Sequence, residues 1–316
     1  MTISKSNGFI RKYGVIFGLV GIIIFFAIES PNYFFTPSNF ILISKQSSIN
    51  ILLALGEMFV ILTAGIDLSV GAIAGLVGAV SAGTIVATGN LFLGLAAGIG
   101  VGIAFGLING VIVAFAKVPA FIATLATMSA ITGITLIYTQ GEPIWNLPSS
   151  FDFIGQGNLA DIPFSIILMA LAFIAAWIIL EKTKYGRHVY AVGGNIKASR
   201  AAGIKISAVL VSVYAISGLL SAIGGIVLAS RLGTAEPTAG SGYELDAIAA
   251  VVLGGTSLFG GEGWVVGTII GGYIIAVLNN GMTIMNISAY YQEVVKGLVI
   301  LLAVMLTSFG KKYWNE

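Results

Sequence analysis

The chain has 316 residues, 57% of them hydrophobic and 9% charged, with a mean hydropathy of +1.01; no single water-soluble core buries that much apolar surface, so it reads as a polytopic membrane protein. Its 15 Lys and Arg against 13 Asp and Glu leave a formal charge of +2, too small to call for a nucleic-acid partner. With no cysteine and the single histidine His188, it lacks the means for disulfides, a Cys nucleophile or a His- or Cys-based metal cluster.

The first apolar run, 13–28, follows Lys5, Arg11 and Lys12 as a signal peptide would, but ends at Glu29-Ser30-Pro31 with no small-x-small cleavage site; it is read as an uncleaved first span. Further runs fall near 40–63, 70–88, 91–116 and 119–139, then near 163–181, 206–230, 245–258, 264–286 and 291–308. At roughly 20 residues per crossing they make about ten spans. Lipid offers no partner to backbone groups and the runs lack strand alternation, so each is a helix. The expected fold is all-α, a single transmembrane domain over 1–316.

Orientation follows from the cations, which gather in cytoplasmic loops. With both ends inside, Lys5, Arg11, Lys12, Lys117, Lys182, Lys184, Arg187, Lys197, Arg200, Lys205, Lys311 and Lys312 all fall in the cytoplasm, leaving only Lys45, Arg231 and Lys296 elsewhere. Outer loops hold Glu29, Glu142, Asp152, Asp161, Glu236 and Glu244. One span more or fewer would invert every loop downstream and spoil this segregation.

An internal repeat is visible. Leu107-Ile108-Asn109-Gly110 matches Leu278-Asn279-Asn280-Gly281, and Gly65-Ile66-Asp67-Leu68-Ser69 matches Gly242-Tyr243-Glu244-Leu245-Asp246, both of the form Gly-x-acid-Leu-polar at the mouth of a span. Halves of five spans each, about 13–139 and 163–308, lie in opposite orientations, the inverted repeat of many transporters; chance matching of Gly-rich apolar sequence is the competing explanation. Glycines at four-residue intervals, Gly94, Gly98, Gly102, Gly106 and again Gly267 and Gly271, predict close helix packing in lipid rather than phosphate binding. No Gly-x-x-x-x-Gly-Lys-Ser/Thr loop occurs, so no ATPase is expected in this polypeptide.

The longest basic loop, 181–206, carries a predicted turn at Gly193-Gly194-Asn195, then a short helix from Ile196 to Ala202 closed by Gly203 as its C-cap. Such a helix between two spans suits a lever that passes motion from a soluble partner to the membrane; an ordinary positive-inside loop explains the charge but not the small-residue stretch. Glu57, Asp67, Glu244, Asp246, Glu293 and Lys296 are polar at membrane depth, where an unpaired carboxylate costs at least about 2.5 kcal/mol. Asp67 and Ser69 are expected to cap the third span from the cytoplasmic side and Glu244 and Asp246 the eighth from the outer side, or to line a path. Glu293 and Lys296, three apart, share a helix face and are expected to pair.

Three stretches carry a resemblance: 59–71 (FVILTAGIDLSVG), 186–203, and 243–257 (YELDAIAAVVLGGTS). They resemble the ribose-type permease family of ABC sugar importers, and the likeness extends from Ser30-Pro31-Asn32-Tyr33-Phe34 to Tyr290-Tyr291-Gln292 and the last span. The outer segment between Gln140 and Pro163 is of a kind that varies among sugar permeases. The resemblance implies a non-enzymatic permease in the bacterial plasma membrane, embedded in lipid and paired with a second permease copy. It implies a cytoplasmic ATP-binding subunit that hydrolyses ATP, so the permease needs no cofactor, and an extracytoplasmic sugar-binding protein. Gly193, Asn195, Arg200, Ala202 and Gly203 then resemble the helix that seats in the ATPase. Ribose is the first substrate expected; allose, xylose, galactose or an autoinducer-2-like furanose follow, and a branched-chain amino-acid permease matches the motifs less well.

A neutral sugar needs neutral donors and acceptors along its route. Asn109, Asn280, Ser69, Thr63, Thr256 and Ser257 meet that description, and Asn109 and Asn280 are expected to face each other across the pseudo-twofold axis, with interhelical hydrogen bonding as the alternative. A secondary carrier would show a larger buried charge network than Glu293 and Lys296, and an intramembrane enzyme would need paired carboxylates, a Ser/Lys pair or His ligands.

Overall fold

The computed structural model describes the backbone of residues 3–312 and the side chains of 14–302 and 305; the side chains of Lys5, Arg11, Lys12, Lys311 and Lys312 lie outside them. Helices dominate: α1 (Ile3–Glu29), α2 (Pro37–Leu62), α3 (Val70–Thr88), α4 (Leu91–Val111), α5 (Ala120–Thr139), α6 (Ser149–Gln156), α7 (Phe164–Trp177), α8 (Lys184–Gly194), α9 (Ile196–Ala201), α10 (Ile206–Leu232), α11 (Tyr243–Leu253), α12 (Val265–Ile284) and α13 (Ala289–Lys312). A π-helical turn extends α4 through Ala116 and α7 through Lys182. Two strands, β1 (Asn158–Leu159) and β2 (Ile162–Pro163), pair antiparallel in the outer segment.

Local chemistry sets the helix ends. Thr36 caps α2, its side chain accepting from the Asn39 N–H at 3.3 Å with Pro37 in the first turn. Asn90 does the same for α4 through the Leu93 N–H at 3.1 Å, just after Gly89 closes α3 in the left-handed region. Among the described residues, 7 helices are long and apolar enough to cross a membrane, and α1 contributes a shorter apolar stretch, Gly14–Glu29. Large apolar side chains such as Phe17, Ile28, Phe92 and Ile137 stand out into the surroundings, as a lipid-facing perimeter requires. The chain is thus an all-α polytopic membrane protein.

At the centre stands α10, 27 residues long, packed by α2, α3 and α4. On α4 the buried residues are the glycine stripe, Gly94, Gly98, Gly102 and Gly106, with Asn109 and Gly110. A methyl group at Gly98 would run into Ser81 Oγ of α3, and one at Gly102 would meet the Gly218 carbonyl of α10 at 2.6 Å. The expected close packing is therefore what the glycines provide. Two expectations change. The eighth run begins as α11, only 11 residues long, about 16 Å of helix. The outer segment expected as loop holds α6, tied to the end of α10 by Ser230, whose Oγ donates to the Phe151 carbonyl at 2.6 Å and accepts from the Gly155 N–H.

Asn280 of α12 and Asn39 of α2 exchange amide hydrogen bonds at 2.9 and 3.0 Å. Asn280→Leu is expected to cost about 1 kcal/mol, read as a lowered unfolding midpoint in detergent, because it leaves Asn39 Oδ1 without a donor and its amide nitrogen with the Phe34 carbonyl alone.

Candidate functional site

Two regions gather the polar residues. The first is buried between α2, α3, α4 and α10. From Leu62 the chain turns back into the protein, with Ala64 at φ 64°, and brings Asp67 beside Glu57, whose Oε1 accepts from the Asp67 N–H at 3.1 Å. Asp67 Oδ1 accepts from the Ser69 N–H at 3.0 Å and its hydroxyl at 2.6 Å, and Oδ2 accepts from Ser217 Oγ of α10 at 2.9 Å. Asn109 of α4 donates to Ser69 Oγ at 2.8 Å. All five, with Tyr214, are 0% exposed, and Glu57 Oε2, Asn109 Oδ1 and the Tyr214 hydroxyl have no hydrogen-bond partner.

This geometry revises two expectations. Ser69 occupies the N-cap of α3 but makes no capping bond with its side chain, because that hydroxyl is committed to Asp67 and Asn109. Asn109 and Asn280 do not face each other. The first joins the Asp67 cluster at Glu57 and the second sits at Asn39, and these two α2 positions lie about 27 Å apart along the helix. Glu57, Ser217 and Tyr214 complete the cluster; Glu57 was visible as a membrane-depth acid, whereas Ser217 and Tyr214 carried no signal within the apolar α10 sequence.

Nearby, the starts of α3 and α11 meet, so the two acidic motifs lie together and not on opposite sides as expected, because both helices begin inside the bundle. Gly71 and Gly240 pack backbone to backbone, and the Glu244 carboxylate lies against the first turn of α3 while accepting from the Gly242 N–H at 3.3 Å. Glu244 thus answers the positive ends of two helices. Asp246, two residues on, makes no cap; it pairs with Lys296 of α13 at 3.4 Å, and Lys296 also holds Glu293 at 2.7 Å. The expected Glu293–Lys296 pair therefore becomes a triad. Lys296→Met is expected to cost roughly 3 kcal/mol by leaving Asp246 uncompensated, with most of the loss in thermal stability recovered in the Asp246→Asn/Lys296→Met double variant.

The second region is a junction of α8, the end of α2 and the 254–264 loop. The Gly261 N–H donates to the Leu62 carbonyl at 2.9 Å, and Gly193 is packed against that same carbonyl, where a side chain would collide. Gly193 and Gly194 thus finish α8 instead of forming the expected turn; close approach, not a bend, demands the glycine. Tyr190 donates to the Gly263 carbonyl at 3.2 Å, and burial together with the Glu181 charge pushes its phenol upward. Asn195 then starts α9, its Oδ1 accepting from the Ala198 N–H at 2.9 Å. After Ala202, Gly203 takes φ 80°; its N–H bonds the Arg200 carbonyl at 3.0 Å and the Ile204 N–H the Ser199 carbonyl at 3.0 Å, the paired bonds of a glycine-closed helix end. Only Ser199 of α9 is buried, so Arg200 and Ala202 face outward from a short helix fixed at both ends.

An all-α membrane bundle with a buried polar centre and a short exposed helix anchored beside it is the architecture of a solute permease. The family described as "Branched-chain amino acid transport system / permease component" matches residues 39–304. The ribose import permease protein of Bacillus subtilis (strain 168) is 49% identical over 302 residues, 95% of this chain and 94% of that one. The ribose import permease protein of Escherichia coli (strain K12) is 46% identical over 91% of this chain and 92% of its own length. The D-allose transport system permease protein of the same strain is 41% identical over 93% and 91%. No solved structure matches the chain. The chain belongs to this permease family, among the ribose-type ABC permeases.

Proposed function

We propose that the chain is the membrane subunit of an ATP-driven importer that carries ribose into a bacterial cytoplasm. The observation that carries this reading is α9, which is exposed, capped by Asn195, closed by Gly203, and rooted through α8 where α2 and the 254–264 loop meet. A rigid helix so placed can pass a push from a soluble ATP-binding subunit to the spans. In this reading Gly193, Asn195, Arg200, Ala202 and Gly203 form the coupling surface, and the energy comes from ATP hydrolysed by that partner. The permease performs no chemistry and needs no cofactor.

A second permease copy completes the passage, and an extracytoplasmic binding protein delivers the sugar. Counting α1, α13 and a crossing made jointly by α11 and the 254–264 loop with the long helices gives about ten, with both termini and α9 cytoplasmic in the inner membrane. The paired motifs at the starts of α3 and α11, two helices whose ends meet, support an inverted repeat of five plus five. The Asp67, Ser69 and Asn109 cluster, with spare capacity on Glu57, Asn109 and Tyr214, and the Glu244 and Asp246 region are proposed to border the sugar route. The amide of Asn280 is engaged with Asn39 and serves packing.

Vesicles holding the permease, its ATP-binding subunit and its binding protein should accumulate labelled ribose with ATP, with unlabelled allose and xylose competing poorly. The permease alone should accumulate none. Arg200→Glu should lower uptake and ATP turnover together. Uphill uptake by the permease alone would sink the reading.

A further inference from the structure

We propose that a basic cleft between α8 and the start of α10 binds a phosphate group, supplied by an anionic lipid headgroup at the face of the membrane that carries α8. The cleft has a volume of about 420 Å³ and is lined by Tyr185, His188, Lys205, Ala208, Val209 and Ser212, with the Gly203–Ile204 backbone at its edge. That size suits a small ligand or a lipid headgroup.

Its floor is built and rigid. Ser212 Oγ donates to the Val209 carbonyl at 2.9 Å, so the 2.6 Å contact with Tyr185 is a bond donated by the phenol. Burial pushes the Tyr185 phenol upward, which keeps its proton in that bond. The rim is basic: the Lys205 ammonium and the His188 imidazole are both exposed, and Lys184, one turn before His188, shares its helix face. None of the three makes an ion pair among the described residues. The nearest acid in sequence, Glu181, acts instead on Tyr190, whose hydroxyl is turned to Gly263. The two floor hydroxyls have spent their protons on Val209 and Ser212, so the donors left to a ligand are the ammonium and the imidazole, gathered without a carboxylate, and these suit an anion.

Position names the source. The cleft lies between α8 and the start of α10, and α8 follows directly on the end of α7, where the Lys182 ammonium lies 4.8 Å over the Trp177 ring. A tryptophan with a lysine folded over it marks a membrane interface, the depth of lipid phosphates. Basic pockets beside spans on the inner side hold such headgroups. The site does not depend on which solute the permease carries.

The test uses the full chain purified in neutral detergent, with lipid retention followed by native mass spectrometry and stability by thermal unfolding. Phosphatidylglycerol should be retained and should stabilise the protein, phosphatidylcholine should not, and millimolar inorganic phosphate should neither stabilise it nor displace the lipid. Lys205→Gln should weaken retention about fivefold, the effect of removing one surface cation, and Lys205→Arg should restore it. His188→Gln is a second, independent variant at an exposed position. Inorganic phosphate stabilising as well as the lipid, with the same dependence on Lys205, would overturn the lipid as source. Unchanged phosphatidylglycerol retention in the Lys205→Gln/His188→Gln double variant would overturn the site.

Discussion

Gly193→Ala is expected to reduce ATP-dependent ribose uptake to background while the permease still reaches the membrane and purifies as a folded protein. The added methyl group would collide with the Leu62 carbonyl oxygen and come within 2.7 Å of the Gly261 N–H, the two atoms already joined by a hydrogen bond. It cannot be accommodated without moving α8 off the end of α2. Overpacking of this kind costs about 1–3 kcal/mol, too little to unfold a bundle held by α10 but enough to detach the helix that carries α9. The neighbouring residue is the control: at Gly194 the nearest atom to an added methyl is 3.9 Å away, so Gly194→Ala should transport normally. The paired measurement is uptake in vesicles alongside ATP turnover. Equal activity of the two variants would refute the junction as the transmission point.

Asp67→Ala is expected to lower stability by roughly 3 kcal/mol, the cost of leaving buried donors without an acceptor. It removes the acceptor of three hydrogen bonds, from the Ser69 N–H, the Ser69 hydroxyl and the Ser217 hydroxyl, and leaves those donors buried. Asn109 loses its fixed partner as well, since Ser69 is then free to rotate. Asp67→Asn keeps one acceptor oxygen and should fall between wild type and alanine. The order wild type, Asn, Ala in unfolding midpoint, measured in detergent, checks the prediction; an Asp67→Ala variant as stable as wild type would show that the cluster does not hold α3 to α10.

Much of the fold was legible because a membrane imposes a simple code. Length and apolarity mark the spans, and the glycines of α4 mark its buried face, since only small residues let helix backbones touch where no hydrophobic force drives them together. The helix from Ile196 with Gly203 after it was legible because glycine closure is local chemistry, whereas Asn195, read as part of a turn, proves to be its N-cap. The site was read less completely. Asp67, Ser69 and Asn109 were picked out singly as polar groups in apolar surroundings, but their convergence on Ser217, 150 residues away from Asp67, has no trace in local pattern. Asn109 and Asn280 matched as a repeat, yet matched motifs say nothing about whether two amides meet. Gly193 and Gly194 read as a turn because that is what adjacent glycines most often make; their role in a helix end depends on a carbonyl from a distant span.

By itself, then, the order of residues determined a helical membrane protein, the bounds of the seven long apolar helices among the described residues to within a few residues, the glycine-closed α9 and its family resemblance, because each depends on solvent preference or on neighbours within one helical turn. The three-dimensional packing alone decided that Glu57 joins Asp67, that Asp246 shares Lys296 with Glu293, that α11 starts against α3, and that Gly193 roots the exposed helix on Leu62. Those are contacts between segments far apart in the chain, and hydrophobic periodicity, which is nearly uniform around these spans, does not say which faces meet.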